Sequence, residues 1–210
     1  MNTFKLESGD ILVNVNRRRD PLSTIKRWAA GPYEHVFMYI GRVRLLVNPR
    51  QGIILRVPLL FESDGDGVVL ESLSSRYDQE VVVLRLKPEH YRRKIPRVLV
   101  EATKLADDPQ SHYDYLCLVK HVLPRLICEK LRLPTWILQH LPLAWQRDAR
   151  QICSEAVFEI FHKAGVVEIL FDHCQPPMPG DFVTDSPLLE EVWRGILSQD
   201  LIPLEGHTEE

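Results

Sequence analysis

The sequence predicts an α+β domain in which an antiparallel sheet is packed by helices. The first half of the chain carries short runs of β-branched and aromatic residues, separated by turns that contain glycine and aspartate. After residue 95 the spacing of the apolar residues changes to that of helices. The chain has 210 residues, which is enough for one domain with a sizeable core.

Composition narrows the class of protein. The chain is 45% hydrophobic and 26% charged, with a net charge of −3, which is ordinary for a soluble globular protein and gives no electrostatic footprint for nucleic acid. The polar start MNTFKLESGD is unlike a signal peptide, and no apolar run reaches the roughly 20 residues that span a bilayer. We therefore expect a cytoplasmic protein with no nucleic-acid partner, although export by another route would leave no such signal.

The strands are predicted first. They fall at residues 8–15, 36–41, 43–47, 52–62 (interrupted at Pro58), 68–73 and 80–86. The segment SDGDG, between Glu62 and Val68, predicts a hairpin turn because glycine and aspartate tolerate positive φ. A second Gly-Asp opening, 179-PGDFVT-184, predicts a further strand.

Helices are predicted for the second half. They fall at residues 96–107, at 113–133 as one or two helices broken near Pro124, and at 187–197 as an amphipathic helix. The segment 134-PTWILQHLPLAW-145 is apolar and aromatic, which indicates a helix packed on the core or, alternatively, a lid or a membrane-contact segment. We expect a single domain over 1–210, with a helical apolar insertion at about 116–147 and a loose tail from about 200.

The segment 150-RQICSEAVFEIFHKAG-165 predicts a helix with one apolar face that ends at Gly165. The face comprises Cys153, Ala156, Val157, Ile160, Phe161 and Ala164. Cysteine packs in cores as a small hydrophobe, but near a helix start the unpaired N–H groups favour a thiolate. If Asp148 and Gln151 form a capping box, Cys153 lies in the second turn, where the helix dipole stabilises a thiolate less.

A thiol nucleophile needs a base. Of the eight histidines, His35 stands out because it begins the apolar strand 35-HVFMYIG-41, which would hold its ring in place. His173 adjoins Cys174, but sequence neighbours in a loop before two prolines form a poor dyad. The four cysteines form no CxxC pair and no Cys/His set has ligand spacing, so we expect free thiols, no metal site and no cofactor.

Taken in order, several segments resemble one family. They are 9-GDILV-13, 35-HVFMYIG-41, 60-LFES-63, 67-GVVLESL-73, 113-YDY-115, 153-CSEAVFEIF-161 and 179-PGDFVT-184. This order is similar to the permuted branch of the NlpC-type papain-like superfamily, with its YiiX-like and lecithin:retinol acyltransferase-type members. The resemblance covers roughly residues 8 to 190. It implies a circularly permuted papain-like fold in which the histidine precedes the cysteine, because the cysteine helix has moved behind the sheet.

The resemblance also implies residue roles. Cys153 would be the nucleophile, His35 the general base, and Tyr113 an aromatic that lines the substrate site near the oxyanion position. The third residue lies on the strand after the histidine strand. Glu62 fits the pattern of strand, turn and strand best, and Asn48 and Glu71 are the alternatives. If Glu62 is the third residue, residues 42–59 would form an extra hairpin.

The implied activity is that of a cysteine-dependent hydrolase, an amidase or peptidase that works through a thioester. A thiol acyltransferase, a lipid esterase or amidase of the same fold, and a catalytically silent papain-like binding module are the alternatives. The substrate would be a peptide, another amide or a lipid. The apolar 134–145 segment adds the expectation of contact with a membrane surface.

Overall fold

A computed structural model describes residues 4–15, 32–48, 50–64, 67–108, 153–170 and 177–203. Its centre is a six-stranded sheet in the order β4-β3-β2-β1-β5-β6, antiparallel throughout. The strands are β1 (Ile11–Val15), β2 (Tyr33–Asn48), β3 (Ile53–Asp64), β4 (Gly67–Ser72), β5 (Glu80–Leu86) and β6 (Leu189–Ile196). The described helices are α1 (Glu89–Arg92), α2 (Ile95–Ala106), α3 (Cys153–Lys163) and α4 (Pro179–Thr184), with 3-10 turns at Leu73–Arg76 and Gln199–Leu201. The α+β prediction is confirmed.

The hairpin of β2 and β3 is longer and more continuous than the sequence predicts. The two strands predicted at 36–41 and 43–47 are one strand, with an irregularity in pairing at Gly41, whose φ of 119° suits a bulge. The predicted interruption at Pro58 is also wrong, since Pro58 pairs with Arg42 inside β3. Proline is tolerated beside an unpaired strand edge, and pairing with β4 begins only at Leu59.

The segment predicted as an amphipathic helix at 187–197 is instead strand β6. Its residues pair antiparallel with β5, from Leu86 opposite Leu189 to Glu80 opposite Ile196. Pairing with β6 satisfies the backbone N–H and C=O groups at the edge of β5. This outweighs the helical spacing of the apolar residues in so short a segment. This is a correction to the prediction from sequence.

The second Gly-Asp segment, 179-PGDFVT-184, is helix α4 rather than the predicted strand. Pro179 occupies the first helical position, where its missing N–H costs nothing. The carboxylate of Asp181 accepts a hydrogen bond from the backbone N–H of Met178 at 2.8 Å. The same Gly-Asp dipeptide thus lies in the first turn of a helix here and in a turn before β1, where Gly9 has a φ of 91°.

Both faces of the sheet are covered. One face packs against α2, α3 and α4 through a core that includes Ile11, Met38, Phe61 and Phe161. The other face carries a smaller core of Leu12, Phe37, Tyr39, Leu60, Leu73 and the segment after β6. Beneath the turn before β1, the buried carboxylate of Asp10 accepts hydrogen bonds from Arg85 at 2.7 and 2.8 Å.

Helix α3 matches its prediction. All six residues of the predicted apolar face are buried, and Gly165 follows with a φ of 88°. Ser154, Glu155 and Phe158 are buried as well, so the helix is embedded more deeply than a one-sided amphipathic helix. It contacts β2, β3 and α2, which places Cys153 beside the strands that carry His35 and Glu62.

Several predictions lie outside the described residues. They concern Tyr113, the helices at 113–133, the apolar segment 134–145, the insertion at 116–147, and the possible cap by Asp148 and Gln151. Among the helices that the structure does describe, none has the length and apolar character needed to cross a membrane.

Candidate active site

The site begins with His35 near the start of β2. Its strand position is fixed by pairing with Asn14 of β1, next to an irregularity between Asn14 and Val15. The His35 ring packs against Phe37 at 5.8 Å between centroids, and 18% of the side chain remains exposed. The imidazole is therefore held from behind while one part of it reaches the surface.

Glu62 lies on β3 and is fully buried, with 0% of its side chain exposed. Its Oε2 is 3.0 Å from Nε2 of His35. Arg76 donates two further hydrogen bonds to the same carboxylate, from Nε at 3.1 Å and from Nη2 at 2.8 Å. Burial opposes ionisation, but the bonds from His35, Glu71 and Arg76 outweigh it and lower the pKa of Glu62 to about 2.

Arg76 is the functional residue that sequence reasoning missed. It ends the 3-10 turn that follows β4, and its guanidinium lies over the ring of Phe37, 5.9 Å from the centroid. One signal could have found it. A buried carboxylate requires a partner, and Arg76 is the first basic residue after Glu62 in the sequence.

Glu71 is a neighbour of this carboxylate rather than of the imidazole. Its hydrogen bond to Glu62 and the charge of Glu62 raise the pKa of the Glu71 carboxyl. A raised pKa on Glu71 and a lowered pKa on Glu62 mean that, of the two carboxyls, Glu71 takes up a proton first and Glu62 stays ionised longer as pH falls. Glu71 thus supports the ionised state of Glu62.

Cys153 is the first residue of α3 in the described chain and is 7% exposed. The hydroxyl of Ser154 donates to the backbone oxygen of Pro177 at 2.5 Å, which ties down the start of the helix. Burial would raise the pKa of the Cys153 thiol, but the charge and hydrogen bond of His35, with backbone N–H bonds from Val36 and Ser154, lower it. The surroundings of the sulfur therefore favour thiolate.

His35 responds in the opposite sense. Burial alone would lower the pKa of the imidazole, but the charge of Cys153, a hydrogen bond to Cys153, and the bond and charge of Glu62 raise it to about 10. A raised pKa on the imidazole and a lowered pKa on the thiol are the shifts expected when the thiolate and the imidazolium stabilise each other. Such a pair can act as a nucleophile and as a general acid.

The structure brings together Cys153, His35 and Glu62, which were selected from the sequence. It does not bring Asn48 to them. The amide oxygen of Asn48 accepts bonds from the backbone N–H groups of Arg50 and Gln51, at 3.0 and 3.2 Å, in the turn that ends the hairpin. Thirteen residues of strand separate Asn48 from His35, a span of roughly 43 Å.

The sequence was compared with known proteins. No protein family and no curated protein matches it. A solved structure, the metalloprotein YiiX from Escherichia coli O157:H7, is similar in fold, with a TM-score of 0.56 and 16% sequence identity. The match covers 92% of this chain and 100% of that one. The chain therefore has a YiiX-like fold.

YiiX is described as a metalloprotein, so we tested the donor set of this chain. Among the described residues, no group of three or more His, Cys, Asp or Glu side chains is arranged to hold a metal ion. In the cluster around His35, the carboxylate of Glu62 already accepts two bonds from a guanidinium. The cluster is a thiol, an imidazole and a carboxylate joined in that order, with the carboxylate already bound by Arg76.

Proposed function

We propose that this protein is a cysteine-dependent hydrolase that cleaves amide bonds through a thioester. Cys153 acts as the nucleophile, His35 as the general base and acid, and Glu62 as the residue that orients His35. One observation carries the proposal: the imidazole of His35 interacts with the Cys153 thiol while its Nε2 is held 3.0 Å from a fully buried carboxylate. This is the relation among nucleophile, base and orienting group that thiol catalysis requires.

The reaction would run in two halves. The Cys153 thiolate adds to the carbonyl carbon of the substrate, and the imidazolium of His35 gives its proton to the departing amine as the carbon–nitrogen bond breaks. Water then adds to the thioester, His35 takes its proton, and the carboxylic acid leaves as the thiolate is restored. We assign the base to Nδ1 of His35, because Glu62 holds Nε2.

Glu62 would keep the His35 tautomer fixed and stabilise the imidazolium. Arg76 is a positioning residue, since it acts on the carboxylate of Glu62. Its two bonds hold the carboxylate in place and ionised. The N–H groups in the first turn of α3 would stabilise the oxyanion, at about 3–4 kcal/mol for a well-placed donor.

The fold supports the narrower assignment to a permuted papain-like enzyme. The base and its carboxylate lie on adjacent strands of one sheet, and the thiol begins a helix packed against those strands. The histidine comes before the cysteine in the chain, as expected if the cysteine helix has moved behind the sheet by permutation. A YiiX-like fold agrees with the same resemblance.

The proposal is tested by mapping thiol reactivity. Native protein is treated with sub-stoichiometric iodoacetamide across pH, and labelled cysteines are located by mass spectrometry. We expect Cys153 to react first among the four cysteines near pH 6, despite its burial, because its pKa is lowered. In His35→Ala the midpoint of labelling moves up toward the ordinary thiol value of about 8.5.

The result that would remove the enzymatic proposal is labelling of Cys153 no faster than of the other three cysteines. A second experiment addresses the substrate, by incubating peptide amides and lipid esters with wild type and with Cys153→Ala as the blank. An acyl group trapped on Cys153 by acid quench identifies the thioester. A reactive thiol that turns over neither class would indicate a binding module and overturn the assignment as a hydrolase.

A further inference from the structure

The distal half of the β2–β3 hairpin extends beyond the rest of the sheet. Pairing of β1 with β2 ends at Met38, and pairing of β4 with β3 begins at Leu59. Residues 41–58 therefore form a two-stranded ribbon, flanked by no other described strand. Such a ribbon is only marginally stable in water by itself, so contact with another surface would stabilise it.

The ribbon exposes aliphatic side chains on a scale seen nowhere else among the described residues. Five of the eight large hydrophobic residues that are exposed lie on it. They are Leu45 (43% exposed), Leu46 (57%), Ile53 (44%), Ile54 (54%) and Leu55 (50%). A contiguous exposed apolar patch marks a surface that binds a protein, a membrane or a ligand.

The charge of the ribbon has one sign. Residues 41–58 contain Arg42, Arg44, Arg50 and Arg56 and no acidic residue, in a chain whose net charge is −3. Arg44, Arg50 and Arg56 are exposed. A second copy of this chain on the same surface would bring these like charges together, which disfavours self-association. The ribbon is complementary to an apolar surface with negative charge.

Alternation along the strands sorts these residues into two faces. Cross-strand pairs share a face and successive residues alternate. The pairs Val43–Val57 and Leu45–Leu55 form one face, which is entirely aliphatic, and Arg44–Arg56 and Leu46–Ile54 form the other. One aliphatic face and one face that mixes arginines with Leu46 and Ile54 suit the boundary between acyl chains and phosphates, because arginine can reach headgroups while its stem stays in apolar surroundings.

We propose that the 41–58 ribbon binds the surface of an anionic phospholipid bilayer. The aliphatic face lies at the boundary with the acyl chains, and the arginines contact lipid phosphates. The unpaired ribbon edges keep the insertion shallow, since backbone groups without partners are not tolerated in hydrocarbon. Leu45 lies ten residues of strand from His35, about 33 Å, so this surface is separate from the thiol site and does not depend on its chemistry.

The test is co-sedimentation with large vesicles of phosphatidylcholine that contain about 30% phosphatidylglycerol, against pure phosphatidylcholine. We expect binding to the anionic vesicles alone, and loss of binding at about 1 M salt, where the Debye length falls to about 3 Å. The double variant Arg44→Gln with Arg56→Gln should lower the partition coefficient into anionic vesicles about 25-fold, because each arginine contributes a factor of about five. Leu45→Ser with Leu55→Ser should lower it at least about tenfold.

Ile196→Ser is the matched control, because Ile196 is a strand residue that is 51% exposed and lies on β6, outside the ribbon. Circular dichroism and thermal midpoints confirm that each variant is folded. Equal binding to both kinds of vesicle, no binding, or an equal loss in Ile196→Ser would overturn the proposal. So would a dimer in solution that Leu45→Ser with Leu55→Ser converts to monomer without any vesicle binding. Cys153 takes no part in these measurements, so their failure would leave the proposed hydrolase untouched.

Discussion

Replacing Glu62 by glutamine removes one charge at the centre of the site and keeps the shape of the side chain. In the native protein this buried carboxylate accepts two bonds from Arg76 and lies 3.0 Å from Nε2 of His35. An amide offers only one oxygen acceptor. The guanidinium therefore loses a partner, and the imidazolium loses its counter-charge.

The size of the effect follows from the geometry. The pKa of Glu62 falls to about 2 from an ordinary value of about 4.3, which corresponds to about 3 kcal/mol of folding stability. Arg76 and His35 keep 22% and 18% exposure, so water compensates part of the loss. We expect Glu62→Gln to lower the free energy of unfolding at pH 7 by about 2–4 kcal/mol.

The dependence on pH provides a second check. The pKa of Glu62 is lowered in the folded state, so its contribution is complete above about pH 4.3 and is lost as pH falls toward 2. The difference in the free energy of unfolding between wild type and Glu62→Gln should therefore become smaller as pH falls over that range. Urea denaturation at several pH values measures it, and iodoacetamide labelling at pH 6 should slow at least about tenfold as Cys153 loses its imidazolium.

Glu71→Gln is the matched control. The side chain of Glu71 hydrogen-bonds to Glu62, and a glutamine amide can donate such a bond, so the expected cost is below about 1 kcal/mol. The reasoning is refuted if Glu71→Gln slows labelling of Cys153 as much as Glu62→Gln does, or if Glu62→Gln leaves both stability and labelling unchanged. The third residue would then have been assigned wrongly.

Three further predictions concern the supports of the site and the core. Arg76→Met should raise the pKa of Glu62 and lower the thermal midpoint, while slowing pH 6 labelling less than His35→Ala, because Arg76 supports His35 through Glu62. Gly9→Ala should cost about 2 kcal/mol in urea denaturation, since Gly9 has a φ of 91° and a Cβ there would lie 2.5 Å from Ile95 Cδ1. Adding Ile95→Ala should relieve the clash but not the backbone strain. Phe161→Ala should cost about 3–5 kcal/mol, because Phe161 is fully buried, whereas Val167→Ala at an exposed position should cost little.

Much of the site could be predicted from local patterns. Helix α3 carries a regular apolar spacing that tertiary contacts reinforce, so Cys153 and its neighbours fall where the period predicts. Glu62 was selected because the resemblance places the third residue on the strand after the histidine strand, and the turn signal that follows Glu62 fixes this strand against β4. In both cases the local preference and the global fold agree.

The parts that could not be predicted depend on contacts between distant segments. Strand β6 forms because it pairs with the edge of β5. The sequence of residues 187–197 alone does not show that this edge is open for pairing. Arg76 reaches Glu62 only once the β3–β4 hairpin has folded back. The proline in 179-PGDFVT-184 suits a helix start as well as a turn, so its local signal was ambiguous.

The order of the site residues along the chain has a consequence for synthesis. His35, Glu62 and Arg76 all lie within residues 35–76, whereas Cys153 comes much later in the chain. During synthesis the first five strands leave the ribosome well before α3 does, and contacts of long sequence separation form late. The nascent chain therefore carries His35, Glu62 and Arg76 without Cys153 beside them until α3 docks on β2 and β3. Reactivity of Cys153 at pH 6 would then report the docking of α3 on β2 and β3.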